Sequence, residues 1–477
     1  MNIFEKLRGR GFDTVPESFY SNIGVWKSWY DGNVAKFHRY KVYNGQSNIS
    51  CRRYSMGMGK KVCEDWANLL MNEKVSITLE GEKEQAFFDK VCEENNFAVK
   101  INEMQEMKSA LGTAAYVPRV TGIQVEPERG TLSGTAKAIK VDYCTAENIF
   151  PLSWENGIVT ECAFASQRTV GNEKYLYLQI HRLDGDENYV IENLLYKDQS
   201  GQLTEVDMLT VKGFETVPAT VYTGRPERQF VIDRLNIANN IDVSLPMGIA
   251  VFANAIDQLK GVDVAYDSYV NEFVLGKKRI MVQPEATKNL DGEPLFDGDD
   301  LIFYVLPEDR NGNSIIQEID MTLRTQEHNA GIQDMLNVLS SKCGFGENHY
   351  RYDNSGVATA TEVISANSSM FRTIKKHEII LESVLIELAR IILRLGNIYM
   401  GAGLNESVEI SVDFDDSIIE DKTVERANDR QDVDMGSMNL WEYRAKWMNE
   451  DEATAKAALP GMEDMVSEKQ SEIGGTV

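Results

Sequence analysis

Three short stretches hold residues of types that could do chemistry. Gly57-Met58-Gly59-Lys60-Lys61 has the glycines and lysine of a phosphate cradle. A working cradle also needs a glycine five residues before Gly59 and a Ser or Thr after Lys60, to wrap phosphates and hold magnesium. Neither is present. Asp184-Gly185-Asp186-Glu187-Asn188 opens like a calcium loop. Tyr189 then stands where the turn needs glycine, and Leu195 where a bidentate glutamate belongs. Asp413-Phe414-Asp415-Asp416 crowds carboxylates in a way that suits Mg²⁺. On a strand, however, Asp413 and Asp415 share one face and Asp416 points away, which predicts a solvated strand end over a two-metal site. The five histidines form no His-Glu-x-x-His pair. The six cysteines (51, 63, 92, 144, 162 and 343) make no Cys-x-x-Cys and no zinc spacing, so free thiols are expected, most of them buried in a reducing compartment. The sequence predicts no cofactor, no metal and no enzyme active site.

Two polar clusters remain. Lys277, Lys278 and Arg279 form the only three-residue basic run in the chain. It reads either as a solvated strand start or as a contact with an anionic partner. Tyr350-Arg351-Tyr352-Asp353-Asn354-Ser355-Gly356 has the composition of a mobile surface loop, with Gly356 supplying backbone freedom and Arg351 able to pair with phosphate.

The chain that must position these residues has 477 residues, 49 Lys and Arg against 74 Asp and Glu, and a net charge of −25. A hydrophobic fraction of 43% supports a folded core. Such acidity argues against a surface that grips nucleic acid, because phosphate binding needs clustered cations. No apolar run is long enough to span a membrane, and the N-terminus lacks the apolar core of a signal peptide. From residue 411 onward, 17 acidic residues face 7 basic ones. The end of the chain is expected to be acidic and helical.

Residues 1 to about 48 are rich in aromatics and read as a loop-like arm anchored on its own or a neighbouring domain. Apolar spacing predicts helices over Met58–Asn72, Glu84–Asn95 and Ile101–Leu111, the last closed by Gly112. Short alternating runs from Ala115 to about Tyr222, separated by Gly, Asn and Asp clusters, predict an antiparallel β meander that ends in a strand at Val206–Val211. Ser244, with Pro246 just inside, predicts the start of a helix. Its buried face would carry Ile249, Phe252, Ile256, Leu259, Tyr266, Val270 and Phe273. A small proline-interrupted β unit follows, then a helix over Thr322–Lys342. A long helix is expected over Thr359–Leu395, then a strand at Val408–Phe414 and helices around Val424–Asn439 and Leu440–Ala458. The class is α+β.

This order of elements resembles the portal proteins of tailed bacteriophages, the head-to-tail connectors, and most of all the group typical of phages of Gram-positive hosts. The words that carry the resemblance are Pro16-Glu17-Ser18-Phe19-Tyr20, Trp26-Lys27-Ser28-Trp29-Tyr30-Asp31-Gly32 and Phe37-His38-Arg39-Tyr40. To these add Met58-Gly59-Lys60-Lys61-Val62-Cys63-Glu64-Asp65-Trp66-Ala67-Asn68-Leu69-Leu70-Met71-Asn72-Glu73 and Ser355-Gly356-Val357-Ala358-Thr359-Ala360-Thr361-Glu362-Val363. The resemblance implies a portal-type subunit: a wing over 1–235, a first stem helix over 236–273 and a small β-rich clip over 274–320. A second stem helix (321–343), a tunnel loop (344–358), a long helix with its returning strand (359–415) and an acidic helical crown (416–477) would follow. It implies stem packing through Ile249, Phe252, Ile256 and Leu259. Lys277, Lys278 and Arg279 would contact a motor or adaptor at the clip. Arg351, Asp353, Asn354, Ser355 and Gly356 would face DNA in the tunnel loop.

The implied role is a ring, commonly of twelve copies, through which double-stranded DNA is packaged and ejected. The implied partners are further copies of the chain, a large terminase subunit, a head-completion or adaptor protein, and the major capsid and scaffolding proteins. Its place would be the capsid portal vertex of the virion, and the host cytoplasm during assembly. The alternatives are another capsid-associated structural protein without a channel, and a Mg-dependent nucleic-acid enzyme built on Asp413, Asp415 and Asp416.

Overall fold

The aromatic N-terminal residues form helices where a loop-like arm was expected. In the helix Glu17–Tyr30, Phe19, Ile23, Trp26 and Trp29 recur every three or four residues and are all buried. Polar residues between them hide this stripe from a reading by composition. A short helix, Ile3–Gly9, precedes it, capped by Asn2 and Glu5. An antiparallel ribbon, Arg39–Tyr43 with Asn48–Arg52, follows. The computed structural model describes residues 2–43, 45–71, 75–125, 132–133, 135–215, 217–275, 279–282, 303–305, 316–319, 322–352, 360–414, 422–448 and 450–458. It divides into two compact units, Met1–Phe414 and Asp415–Val477.

In the first unit the expected meander is present. The strands Ile149–Glu155, Ile158–Val170, Glu173–Leu183, Tyr189–Gln199 and Gln202–Val206 pair in sequence order, all antiparallel. Strand alternation assigns its two faces. Leu178 and Ile180 pack with Phe150, Ala163 and Tyr196 against Phe4 and Leu7 of the first helix. Tyr177, Gln179 and His181 alternate with them. The strand expected at Val206–Val211 instead stops at Val206, because the Asp207 side chain accepts the Leu209 N–H and turns the chain. A second sheet places Thr113–Thr121 between Ala138–Thr145 and Val231–Arg234.

The helices Met58–Leu70, Glu82–Glu94 and Phe97–Leu111 match the expected ones within a few residues, and Gly112 ends the third with φ +87°. The long helix runs from Ala360 to Met400, five residues past its expected end, and stops at Gly401, where φ is +61°. Its buried stripe includes Leu381, Leu385, Leu388, Ile392 and Leu395. A buried ion pair ties the helix Phe97–Leu111 to the second sheet: Lys108 Nζ is 3.0 Å from Asp233 Oδ1, and Gln105 and Tyr116 also donate to Asp233.

The helix expected to open at Ser244 begins only at Ile256, after a single 3-10 turn at Ala253–Ala255. Ser244 bonds to Asp242 in a turn, and Leu245–Phe252 is a buried irregular segment. The reason is Gly248. Its backbone lies against Gly112, so close that a Cβ there would stand 2.2 Å from the Gly112 carbonyl oxygen. Its N–H donates to Thr113 Oγ1, and the Val251 N–H to the Ser109 carbonyl. Ile249 and Phe252 are therefore buried ahead of the helix; Ile256 is half-buried at its start and Leu259 is buried within it.

In the second unit Lys422–Met435 ends at Gly436, where φ is +74°, rather than continuing to Asn439. The expected Leu440–Ala458 helix is two, Leu440–Met448 and Glu452–Ala457, since Asp451 accepts the Thr454 N–H and starts a new one. Tyr443 accepts from Arg426 and Arg430, and Trp447 and Lys446 both reach Asp429.

Candidate functional site: a helix pair and the loop root beside it

The helices Ile256–Leu275 and Thr325–Lys342 pack together, with Gly261 lying under Met335 so closely that a Cβ would stand 3.1 Å from its sulfur. Leu259 and Val262 on one, and Ile332, Leu336 and Leu339 on the other, are buried. Between them in sequence lies a small sheet. Its central strand, Arg279–Val282, pairs parallel with Phe303–Val305 and antiparallel with Ile316–Ile319.

At the sheet-proximal end Glu272 holds the two helices together. It accepts from Arg324 Nε at 3.0 Å, Arg324 Nη2 at 2.8 Å and the Arg324 backbone N–H at 3.2 Å, with His328 Nε2 at 3.5 Å. These bonds from Arg324 draw the Glu272 carboxyl down to about 2. Toward the other end, Asp263 is buried and accepts from Met56 N at 2.8 Å and Ser55 Oγ at 3.0 Å. His38 Nδ1 accepts the Val34 N–H, so its proton sits on Nε2, 2.9 Å from Asp263 Oδ2.

The second helix ends at Lys342 in a tightly held turn. Trp66 Nε1 donates to the Cys343 carbonyl, and Phe345 stacks between Trp66 and His349 with centroids 4.8 and 4.4 Å away. Tyr350 Oη donates to Asp65 at 2.9 Å. Burial pushes the Tyr350 phenol well up, while the hydrogen bonds from Lys61 and Tyr350, with His349 Nε2 3.9 Å away, outweigh burial and keep Asp65 below its ordinary value. The Gln333 side chain then works like a backbone rung, donating to the Tyr350 carbonyl and accepting the Tyr352 N–H. Two residues of the expected mobile loop, Tyr350 and Tyr352, are thus fixed. A firm root reaches Tyr352, and helix resumes at Ala360.

Of the residues singled out in sequence, Asp353, Asn354, Ser355, Gly356, Lys277 and Lys278 lie outside the described residues. Arg351 is exposed beside the root. Arg279 opens the central strand of the small sheet, opposite Ile319. Lys60 and Lys61 of the phosphate-loop lookalike pair with Glu106 and Asp65. Asp184 accepts the N–H groups of Asp186 and Asn188 as an ordinary turn. Asp413 ends a strand opposite Ser76, and Asp415 and Asp416 lie outside the described residues. Among the described residues no group of three His, Cys, Asp or Glu could hold a metal. All six cysteines are free: 63, 144, 162 and 343 buried, 51 and 92 half-buried. Sequence reasoning missed Asp263, Glu272, Arg324 and Asp65. Each has a partner tens or hundreds of positions away in sequence: Asp263 with His38, Glu272 with Arg324, and Asp65 with Tyr350, although Asp65 also pairs locally with Lys61.

The chain is mixed α+β, with paired helices on either side of a small sheet in the sequence. The chain belongs to the phage portal protein family, SPP1 Gp6-like, whose family model matches residues 15–459. Among solved structures it is similar to a chain of the neck of a native GTA particle computed with C12 symmetry. The identity is 12% and the TM-score 0.39, over 81% of this chain and 88% of that one. No curated protein matches the chain. Among the described residues no helix is long and apolar enough to cross a membrane.

Proposed function

We propose that the chain assembles into a closed ring, commonly of twelve copies in this family, at the capsid vertex. Double-stranded DNA would be packaged and later ejected through its channel. The observation that carries the reading is the family match across residues 15–459. The helix pair supports the assembly. Val264, Phe273 and Val274 on one helix and Met335 and Val338 on the other remain 43–48% exposed, apolar side chains that neighbouring copies would cover. In this reading residues 1–235 are the wing, the pair Ile256–Leu275 and Thr325–Lys342 the stem, and the small sheet the clip. The clip docks the terminase motor and afterwards a head-completion or adaptor protein. The capsid and scaffolding proteins surround the wing, and 416–477 form the crown.

The tunnel loop is the sharpest part. Its root is fixed by Gln333 and Asp65, so Asp353, Asn354, Ser355 and Gly356 would be presented to the channel from a firm base. Excess carboxylate lowers adhesion of the passing duplex, because few counterion-releasing contacts can form. Purified protein imaged by electron microscopy should show rings with a central hole; a stable, monodisperse monomer at micromolar concentration would sink the reading. Asp353→Lys adds a ring of positive charge, and packaging should slow or stop early, relieved in part by salt, with rings intact. An unchanged packaging rate and DNA length would show that the loop does not meet DNA.

A further inference from the structure

The ribbon Arg39–Tyr43 with Asn48–Arg52 carries chemistry that the helix pair and loop do not use. Its register places Arg39 opposite Arg52, Lys41 opposite Ser50 and Val42 opposite Ile49. Because strand side chains alternate, Arg39, Arg52 and Lys41 share one face while Val42 and Ile49 occupy the other. The three cations are exposed, and none of them is in an ion pair with a described residue. Like charges directly opposite on a ribbon repel. Residues 39–53 contain four cations and no carboxylate, in a chain of net charge −25. On the other face Val42 and Ile49 are each 46% exposed at the same rung; Tyr43, at the tip of the cationic face, is 66% exposed.

The ribbon is nonetheless held firmly at its base. Arg53 packs its guanidinium over Phe37 and Tyr40, 4.3 and 5.0 Å from their centroids, and donates to the Phe37 carbonyl. His38 and the Tyr54 N–H are tied to Asp263 and Asp267 of the helix Ile256–Leu275. An isolated two-stranded ribbon is marginal in water, and both outer edges here are unpaired. A fixed root below a cationic face and an apolar face describes an arm presented to a partner.

That partner must offer carboxylates and apolar area together. Duplex DNA offers phosphate without a matching apolar surface. A second copy of this acidic chain offers both, at high local concentration within a ring. We infer that the ribbon is an intersubunit arm that docks on an adjacent copy, the apolar rung against apolar surface and the cations on carboxylates. The inference rests on the ring reading above.

The test compares wild type with Arg39→Glu/Lys41→Glu/Arg52→Glu, and with the milder Lys41→Ala, whose thermal melts as subunits confirm folding. A photo-cross-linking residue replacing Tyr43 in an otherwise wild-type chain locates the contact. We expect wild-type rings, slowed amide exchange of 39–52 on assembly, and a cross-link into another copy. The triple variant should need at least about tenfold more protein to assemble at low salt, with the difference shrinking as salt rises. Rings that form equally well in the triple variant, with no intersubunit cross-link, overturn the inference and leave the ring reading standing. Failure of wild type to form rings overturns both. Protection of the ribbon by added duplex DNA, and not by assembly, would assign the cationic face to nucleic acid and overturn it as well.

Discussion

Two buried histidines make the stability of the subunit depend on pH. His181 is enclosed by Phe164 and Phe230, neither ring nitrogen has a partner, and burial draws its pKa down to about 3. His377 lies edge-on to Trp66 and is likewise drawn down to about 3, by burial and then by the charge of Lys108. An unfolded histidine titrates near 6.5, so between about 6.5 and 3 the unfolded chain binds protons that the folded chain refuses. Stability is therefore full above about 6.5 and falls as the pH drops below it, by up to about 1.4 kcal/mol per pH unit for each histidine. Urea midpoints from pH 7 to 4 should show this slope, and His181→Phe should remove about half of it; an unchanged slope would refute the assignment. The Lys108–Asp233 pair offers a second check. Asp233→Ala strands a buried ammonium and should cost about 3–5 kcal/mol. Lys108→Met with Asp233→Asn removes both charges, keeps an acceptor for Tyr116 and Gln105, and should cost less in the same denaturation experiment.

At the scale of elements, the contact of Gly248 with Gly112 decides where the first long helix of the pair can begin. Only two residues without side chains let these backbones meet, so Gly248→Ala must push the Leu245–Phe252 segment off the sheet. A destabilisation of about 1–3 kcal/mol is expected, as for other overpacked interiors. A variant as stable as wild type in urea would mean that the segment can shift freely. The same contact explains a misleading signal: Ser244 and Pro246 have the chemistry of a helix start, but the backbone there is committed to Thr113 and Ser109. The stripe in Glu17–Tyr30 errs the other way, since a helical period was present and was masked by aromatic richness.

For the whole molecule, the basic run Lys277-Lys278-Arg279 offers a test that separates assembly from function. Replacing Lys277, Lys278 and Arg279 by Glu should leave rings intact by electron microscopy while lowering packaging or tail attachment. Normal phage yield would assign the run to a solvated strand start. The small sheet that carries Arg279 lies between the two paired helices in the chain, so changes there can be read apart from changes to the helix pair.

The residues by themselves determined the α+β class, the β meander and the long helix. Those depend on local periodicity and on fixed spacings, which a chain carries along its own length. The word order that resembles portal proteins was also local, and the family match agrees with it. The clamps were decided only by tertiary structure. Glu272 meets Arg324 across 52 positions, Tyr350 meets Asp65 across 285, and His38 meets Asp263 across 225. A single charged residue has no period and no motif, so nothing in its neighbourhood tells which distant group will neutralise it. The late start of the helix at Ile256 belongs to the same class, because a close approach of two glycine backbones is a property of the packed chain and leaves no pattern in either segment.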